Sequence, residues 1–342
     1  MKKTILASAI AAATFSGAAM AQSTLSASEL AAKMDSMPTV YGNIQYVLTH
    51  DNVDGGPSEV EHADNGSTLG VMHDHEIAPG ITGFFKLELD GFGADEKDSD
   101  GANIDEAYIG VKGDSFGQVW IGSDDSTYES AVDEIAQFYE VATLSIGAAG
   151  YSTGEGDLIQ YRSPSFSGLT LGGAVQVNGD GEGGDKSYPY QLAAMYEVDA
   201  LELAFAVDSN DNGDGNNENT YGLRASYNLD NLRVTGEFHT RKDAYDKFGL
   251  MGVYTLGKNQ FALSYEMAEA DNSDSTEWDT ITLQALHNVS DHLYVYFEGY
   301  IGGGDDVYDY KFNRADDTKK FDETAGVSDE RTIAAVGAVY YF

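Results

Sequence analysis

Ala334-Ala335-Val336-Gly337-Ala338-Val339-Tyr340-Tyr341-Phe342 closes the chain, and its reading decides the fold. Ala334, Val336, Ala338, Tyr340 and Phe342 are apolar at every second position, the period of a strand with one apolar face. In water, a free strand ending in Tyr-Tyr-Phe would offer an aromatic edge for aggregation. If the sheet closes against a first strand over residues 40–50, that edge disappears.

The same period recurs upstream. Leu201, Leu203, Phe205 and Val207 alternate with Glu202, Ala204, Ala206 and Asp208. Phe261, Leu263, Tyr265 and Met267 alternate with Gln260, Ala262, Ser264 and Glu266. Sixteen such strands are expected, starting near residues 40, 67, 81, 103, 118, 157, 168, 189, 200, 219, 232, 247, 260, 278, 292 and 330. Short turns at 77–80, 113–117, 163–167, 199–200, 230–231, 257–259 and 289–291 take turns with long acidic connectors. The long ones are 51–66, 91–102, 123–156, 178–188, 209–218, 241–246, 270–277 and 302–329. A soluble sandwich has no reason to alternate in this way. A barrel in the bacterial outer membrane does, with tight turns on the periplasmic side and long loops outside. The expected fold is all-β: a 16-stranded antiparallel transmembrane β-barrel over residues 40–342.

Ahead of the barrel, Lys2 and Lys3 precede a short apolar run, and Ala19-Met20-Ala21 offers small residues for cleavage. Residues 1–21 therefore read as a secretory signal peptide. Residues 22–39 form an N-terminal extension in which Ser26-Ala27-Ser28-Glu29 has capping-box spacing. It is either a periplasmic tail or a short helix tucked into the pore. No later stretch of 18 apolar residues exists, so helical membrane spans are excluded. With 57 Asp+Glu against 19 Lys+Arg, the net charge of −38 excludes a nucleic-acid partner. The absence of cysteine removes disulfides and thiol chemistry. There is no G-x-S-x-G elbow with partners, no H-E-x-x-H and no phosphate-binding glycine loop, so no enzymatic activity is expected.

Val40-Tyr41-Gly42, Leu69-Gly70, the run Ala107-Tyr108-Ile109-Gly110-Val111-Lys112-Gly113, then Phe116-Gly117 and Ile121-Gly122, Tyr161-Arg162-Ser163-Pro164 and Tyr340-Tyr341-Phe342 follow one another in order. Together they resemble the Gram-negative general diffusion porins, of the type found in marine γ-proteobacteria. The resemblance covers residues 40–342. It implies a homotrimer of barrels in contact with outer-membrane lipid and lipopolysaccharide. Each barrel would hold a water-filled pore, narrowed by an inward-folded third external loop, that passes small hydrophilic solutes and cations.

Residues 123–156 are the third long connector, and so the expected constriction loop. Asp124, Asp125, Glu129, Asp133, Glu134 and Glu140 would line the constriction and concentrate cations there. The alternative is a solvated acidic surface loop. Arg162 stands where the family places a basic pore residue, whereas Thr68 and Asp105 stand where further arginines are common. Strand parity puts Lys86, Arg224 and Arg233 on the lumen face as a shifted basic wall, beside Glu202, Glu237, Glu266 and Glu298. Acids outnumber bases on that face, so cation preference is expected.

Asp208-x-Asn210-x-Asn212-Gly213 and Glu96-x-Asp98-x-Asp100-Gly101 match the first half of a calcium loop, but the closing glutamate is out of register. Weak Ca2+ or Mg2+ binding at acidic external loops is expected, and no other cofactor. His73-x-His75 shares one strand face but lacks a third ligand. Tyr294, Tyr296 and Tyr300 form a lumen-facing row, which keeps open a second reading as a sugar- or oligosaccharide-selective channel. A surface adhesion barrel is a third.

Overall fold

The computed structural model describes residues 37–97, 101–177, 188–211, 218–316 and 319–342, with the backbone alone at 311–316 and 319–324. The expected signal peptide, residues 1–21, and residues 22–36 of the expected extension lie outside the described residues. Among those described, seventeen strands form one antiparallel sheet that closes on itself. The first are β1 (Thr39–Val53), β2 (Ser58–Asp64), β3 (Thr68–Ala78), β4 (Ile81–Asp90), β5 (Asn103–Gly113) and β6 (Gly117–Ser123). After a long inward loop follow β7 (Leu158–Arg162), β8 (Leu169–Gln176), β9 (Tyr190–Val198), β10 (Leu201–Asp208), β11 (Thr220–Leu229) and β12 (Leu232–Arg241). The wall finishes with β13 (Tyr245–Leu256), β14 (Asn259–Ala270), β15 (Glu277–Asn288), β16 (Leu293–Asp316) and β17 (Lys319–Tyr341).

β2 and β3 lie end to end along one partner. β2 pairs with the upper half of β1, from Tyr46 to Asn52, and β3 with the lower half, from Thr39 to Asn43. Between them Gly66 takes a positive φ of 97°, and the Asp64 carboxylate accepts from the Ser67 amide at 2.8 Å and hydroxyl at 2.7 Å. The wall is thus the expected sixteen-stranded barrel. It closes through β1 and β17, paired from Asn43–Tyr341 to Val53–Arg331, and the Phe342 amide donates to the Gly42 carbonyl at 3.1 Å. The short turns are tight where the backbone can turn left: Asp199, Asp230 and Gly257 have φ of 51°, 48° and 61°.

The burial pattern inverts that of a soluble protein. Leu223, Leu263 and Val336 are 52%, 58% and 58% exposed on the outside, while Ser226, Thr235, Ser264, Thr282 and Gln284 are buried inside. Such a surface suits lipid outside and polar groups within.

The last hairpin differs from expectation. Residues 302–329 read as a loop, yet β16 continues to Asp316 and β17 begins at Lys319. Pairing of β16 with β15 ends at Gly304, and that of β17 with β1 at Arg331, so the remainder is a two-stranded ribbon beyond the rim. Outside the membrane neither face meets lipid, so no apolar alternation marks those strands. The first external connector is shortened in the same way, to the turn between Val53 and Ser58.

Leu223→Arg puts a charge on the lipid face and should destabilise the barrel by about 2–4 kcal/mol if the site is near the bilayer midplane. Urea-dependent folding into lipid vesicles would show it as a lower midpoint.

Candidate functional site

The loop after β6 turns into the lumen and opens with a one-and-a-half-turn helix, α1 (Thr127–Val132). Ser126 caps it, its hydroxyl accepting from the Glu129 amide at 3.3 Å. Gln191 of β9 seats the helix start, donating to the Ser126 hydroxyl at 2.8 Å and accepting from the Tyr128 amide at 3.1 Å. The wall beneath is hollowed by small residues: Ala193, Ala204, Ala206 and Gly222. A Cβ on Gly222 would lie 2.6 Å from both Tyr128 Oη and Val132 Cγ2, and one on Gly249 would lie 2.9 Å from Ile135 Cδ1.

Past α1 the loop follows the wall towards β16. Tyr139 donates to the Ser264 hydroxyl at 2.9 Å. The Glu140 and Val141 amides donate to the Glu298 carboxylate at 2.8 and 3.0 Å. Tyr300 donates to Glu298 at 2.7 Å and accepts from the Ala142 amide at 2.9 Å. On the way back, the Ser152 amide donates to Asn210 Oδ1 at 2.8 Å and the Gly154 amide to Gln176 at 3.3 Å. The loop therefore covers the lumen side of β8–β16. Its open side, with Asp125, Glu129, Ser130, Asp133, Glu134, Gln137 and Phe138, borders an open cavity that Arg224 of β11 also lines.

The six loop acids divide by environment. Asp125, Glu129, Asp133 and Glu134 edge the cavity. Glu129 accepts from Gln137 and Tyr151, and burial pushes its carboxyl up. Asp124 accepts from Trp120 Nε1 at 2.6 Å, and burial raises it too. Asp133 is buried against the wall, accepting from Lys247 at 3.0 Å and the Ala148 amide at 2.9 Å. Glu140 accepts from Tyr294 at 2.9 Å, and burial pushes its carboxyl up. Glu134 accepts from Arg233 Nε at 2.7 Å and Nη2 at 2.8 Å, from Thr235 at 2.9 Å, and from Arg224. Burial opposes its charge, but the Arg233 and Arg224 guanidiniums prevail and hold its carboxyl below the ordinary value.

The basic residues do not form one wall, because Lys86, Arg224 and Arg233 are each drawn to acids of their own while Arg162 is not. Arg224 and Arg233 lie under the loop and grip Glu134 and Glu202, Arg233 Nη1 reaching Glu202 at 2.7 Å. Lys86 stands on β4 and pairs with Glu106 and, at 3.6 Å, Glu88. The β4–β5 register sets Glu88 opposite Glu106, with Asp90 and Asp105 nearby. Arg162, exposed beside Gln118 at the lower end of β7, has no ion pair among the described residues but lines a second cavity with Asp124 and Asp125.

Two further expectations are answered by the loop. Asp208 accepts from Gln191 and from the Asn210 amide at 2.8 and 2.7 Å; Asn210 donates to the Glu218 carbonyl and Thr220 at 2.7 and 2.8 Å. Asn210 thereby joins the constriction loop to the wall, and Asp208 fixes Gln191 and Asn210 beside it. Asn212, Asp98 and Asp100 lie outside the described residues. Tyr296 and Tyr300 are 2% and 1% exposed, covered by the loop, so the tyrosine row is a seat and not an open aromatic track. The His73 and His75 rings stack at 6.1 Å with no third ligand beside them among the described residues. Sequence reasoning missed Gln191, Lys247 and Gly222 as parts of the seat. The run of small residues on the lumen face of β9–β11 was the available signal.

Gly222→Val should push α1 off the wall. Limited proteolysis should then cut between residues 127 and 140 at least tenfold faster than in the wild type, with the barrel still folded. Glu134→Gln should lower the unfolding temperature at pH 7. Because the Glu134 carboxyl is held below its ordinary value, its tie is complete above the usual carboxylate range and is lost as pH falls through the lowered value. The gap between wild type and variant should therefore close in acid, as measured by unfolding temperature against pH.

A family model for Gram-negative porins matches residues 7–305. The monosaccharide porin of Halomonas sp and the major outer membrane protein of Halomonas elongata are each 31% identical over 93% of this chain and 88% of theirs. An anion-selective porin from Comamonas acidovorans shares the fold, with a TM-score of 0.67 at 18% identity over 90% of this chain and 99% of that one. Barrel, inward loop and sequence kinship agree: the chain belongs to the Gram-negative porin family and forms a channel in the outer membrane.

Proposed function

We propose that the channel passes small hydrophilic solutes by diffusion and prefers cations. The observation that carries this reading is the charge balance around the open side of the loop. Four acids, Asp125, Glu129, Asp133 and Glu134, edge the cavity against one base, Arg224, and among the described residues Asp125 and Glu129 make no ion pair. Lys86 is outnumbered by Glu88 and Glu106. A narrow passage with low-dielectric walls focuses such an excess into a potential that draws cations. The resemblance to general diffusion porins supports a homotrimer set in lipid and lipopolysaccharide. The acidic external loops would bind Ca2+ or Mg2+ weakly, which would screen their mutual repulsion.

The name of the Halomonas relative favours a second reading, saturable passage of a monosaccharide. Tyr41 and Tyr108, lumen-facing on β1 and β5, offer apolar ring faces for it.

Reversal potential in a tenfold KCl gradient across a planar bilayer tests the first reading. The wild type should be cation-selective and open in groups of three equal steps. Asp125→Asn with Glu129→Gln should move the reversal potential towards zero. An anion-selective wild type would overturn the charge assignment. Saturable block of the current by glucose would favour the second reading.

A further inference from the structure

Under the constriction loop lies a cluster that none of the roles above requires. Asp133 comes from the loop, Glu237 and His239 from β12, Lys247 from β13 and Glu266 from β14. All five side chains are buried, four of them at 2% exposure or less. Lys247 Nζ lies 3.0 Å from Asp133 Oδ1, 3.1 Å from Glu266 Oε1 and 3.5 Å from Glu237 Oε2. Three carboxylates thus share one ammonium away from water, each otherwise served by one backbone amide: Ala148 on Asp133, Ile135 on Glu237 and Ile146 on Glu266. Buried charge of that size calls for a counter-charge.

The unsatisfied atoms show where it would sit. Glu237 Oε2 and His239 Nε2 are both buried without a hydrogen bond. His239 Nε2 is 3.6 Å from Glu237 Oε2 and 4.0 Å from Asp133 Oδ1, and the three residues offer ligand atoms all within 4.8 Å of one another. Zinc with bonds of about 2.0–2.1 Å holds tetrahedral ligands roughly 3.3 Å apart, so small side-chain shifts complete the set. The other ring nitrogen is already placed. Tyr128 Oη lies 2.8 Å from His239 Nδ1. With Nδ1–H donating to that oxygen, Nε2 presents its lone pair to the two carboxylates, the arrangement that orients metal-binding histidines.

We infer that Asp133, Glu237 and His239 form a divalent-cation site of the zinc class, which ties the constriction loop to the barrel wall. A dication there would take over Asp133 Oδ1 and Glu237 Oε2 from Lys247 and leave the ammonium to Glu266. The site joins one loop residue to two residues of a single strand, so occupancy would stiffen the loop without changing the barrel.

The test uses the full-length protein purified in detergent, stripped with chelator and titrated with ZnCl2 at pH 7.5 by calorimetry. His73→Gln with His75→Gln serves as the background, because that outer-face pair could take zinc by itself. One zinc per protomer is expected, and adding His239→Gln should remove it. The unfolding temperature should rise with zinc in the background protein and not in the His239→Gln variant. Equal stoichiometry with and without His239, or no binding in the background protein, would overturn the site. If the variant fails to fold, cobalt(II) replaces zinc in the background protein. An intense visible band of a four-coordinate ion supports the site, and a weak six-coordinate spectrum overturns it.

Discussion

Closure of the sheet governs the rest of this structure. In hydrocarbon no water can satisfy a strand's N–H and C=O groups, so every strand needs two neighbours and the last must find the first. The pairing of β17 with β1 meets that demand and carries it to the final residue, where Phe342 exchanges hydrogen bonds with Gly42. Once the sheet is closed, the apolar face has only lipid to meet and the polar face encloses water. The inverted burial pattern is the direct result.

That inversion leaves the barrel without an ordinary core. Among the described residues, two of three buried apolar clusters form where the inward loop meets the wall, around Ile135, Tyr139, Leu144, Met251 and Tyr300 and around Tyr128, Val132 and Ala206; the third joins Val47, Tyr296, Ala335 and Val339 across the closing seam. Beside them stand the polar ties of Gln191, Glu298 and Lys247. The loop is held as a layer of protein folded onto another layer, with small residues on the wall fitting the helix. Its position, and so the width of the opening, is set by packing as much as by charge.

Much of this was legible in the sequence, for a physical reason. Lipid on one side and water on the other impose a strict period of two, so strands such as β10 and β14 declare themselves residue by residue. The pattern faded where the membrane ends: the upper parts of β16 and β17 read as loop because neither of their faces meets lipid. The acids of the constriction loop were equally visible, but their partners were not. Parity puts Arg224, Arg233 and Lys86 on the lumen face, yet it cannot say that two of them lie beneath the loop while the third stands beyond it. That depends on which wall the loop leans against. The decisive marks, Gly222 and the alanines of β9 and β10, look like ordinary small residues until the helix is laid over them.

The ribbon that continues β16 and β17 past the rim runs for about 12 residues per strand, or about 40 Å. Among the described residues no further strand pairs with its two outer edges beyond Gly304 and Arg331, which leaves backbone groups along them that another such ribbon could meet. Asp305, Asp306 and Asp309 stand exposed along it, and bringing two of these edges together would crowd like charges. On a cell surface packed with copies of the same barrel, like charge along these edges would oppose pairing between neighbouring hairpins.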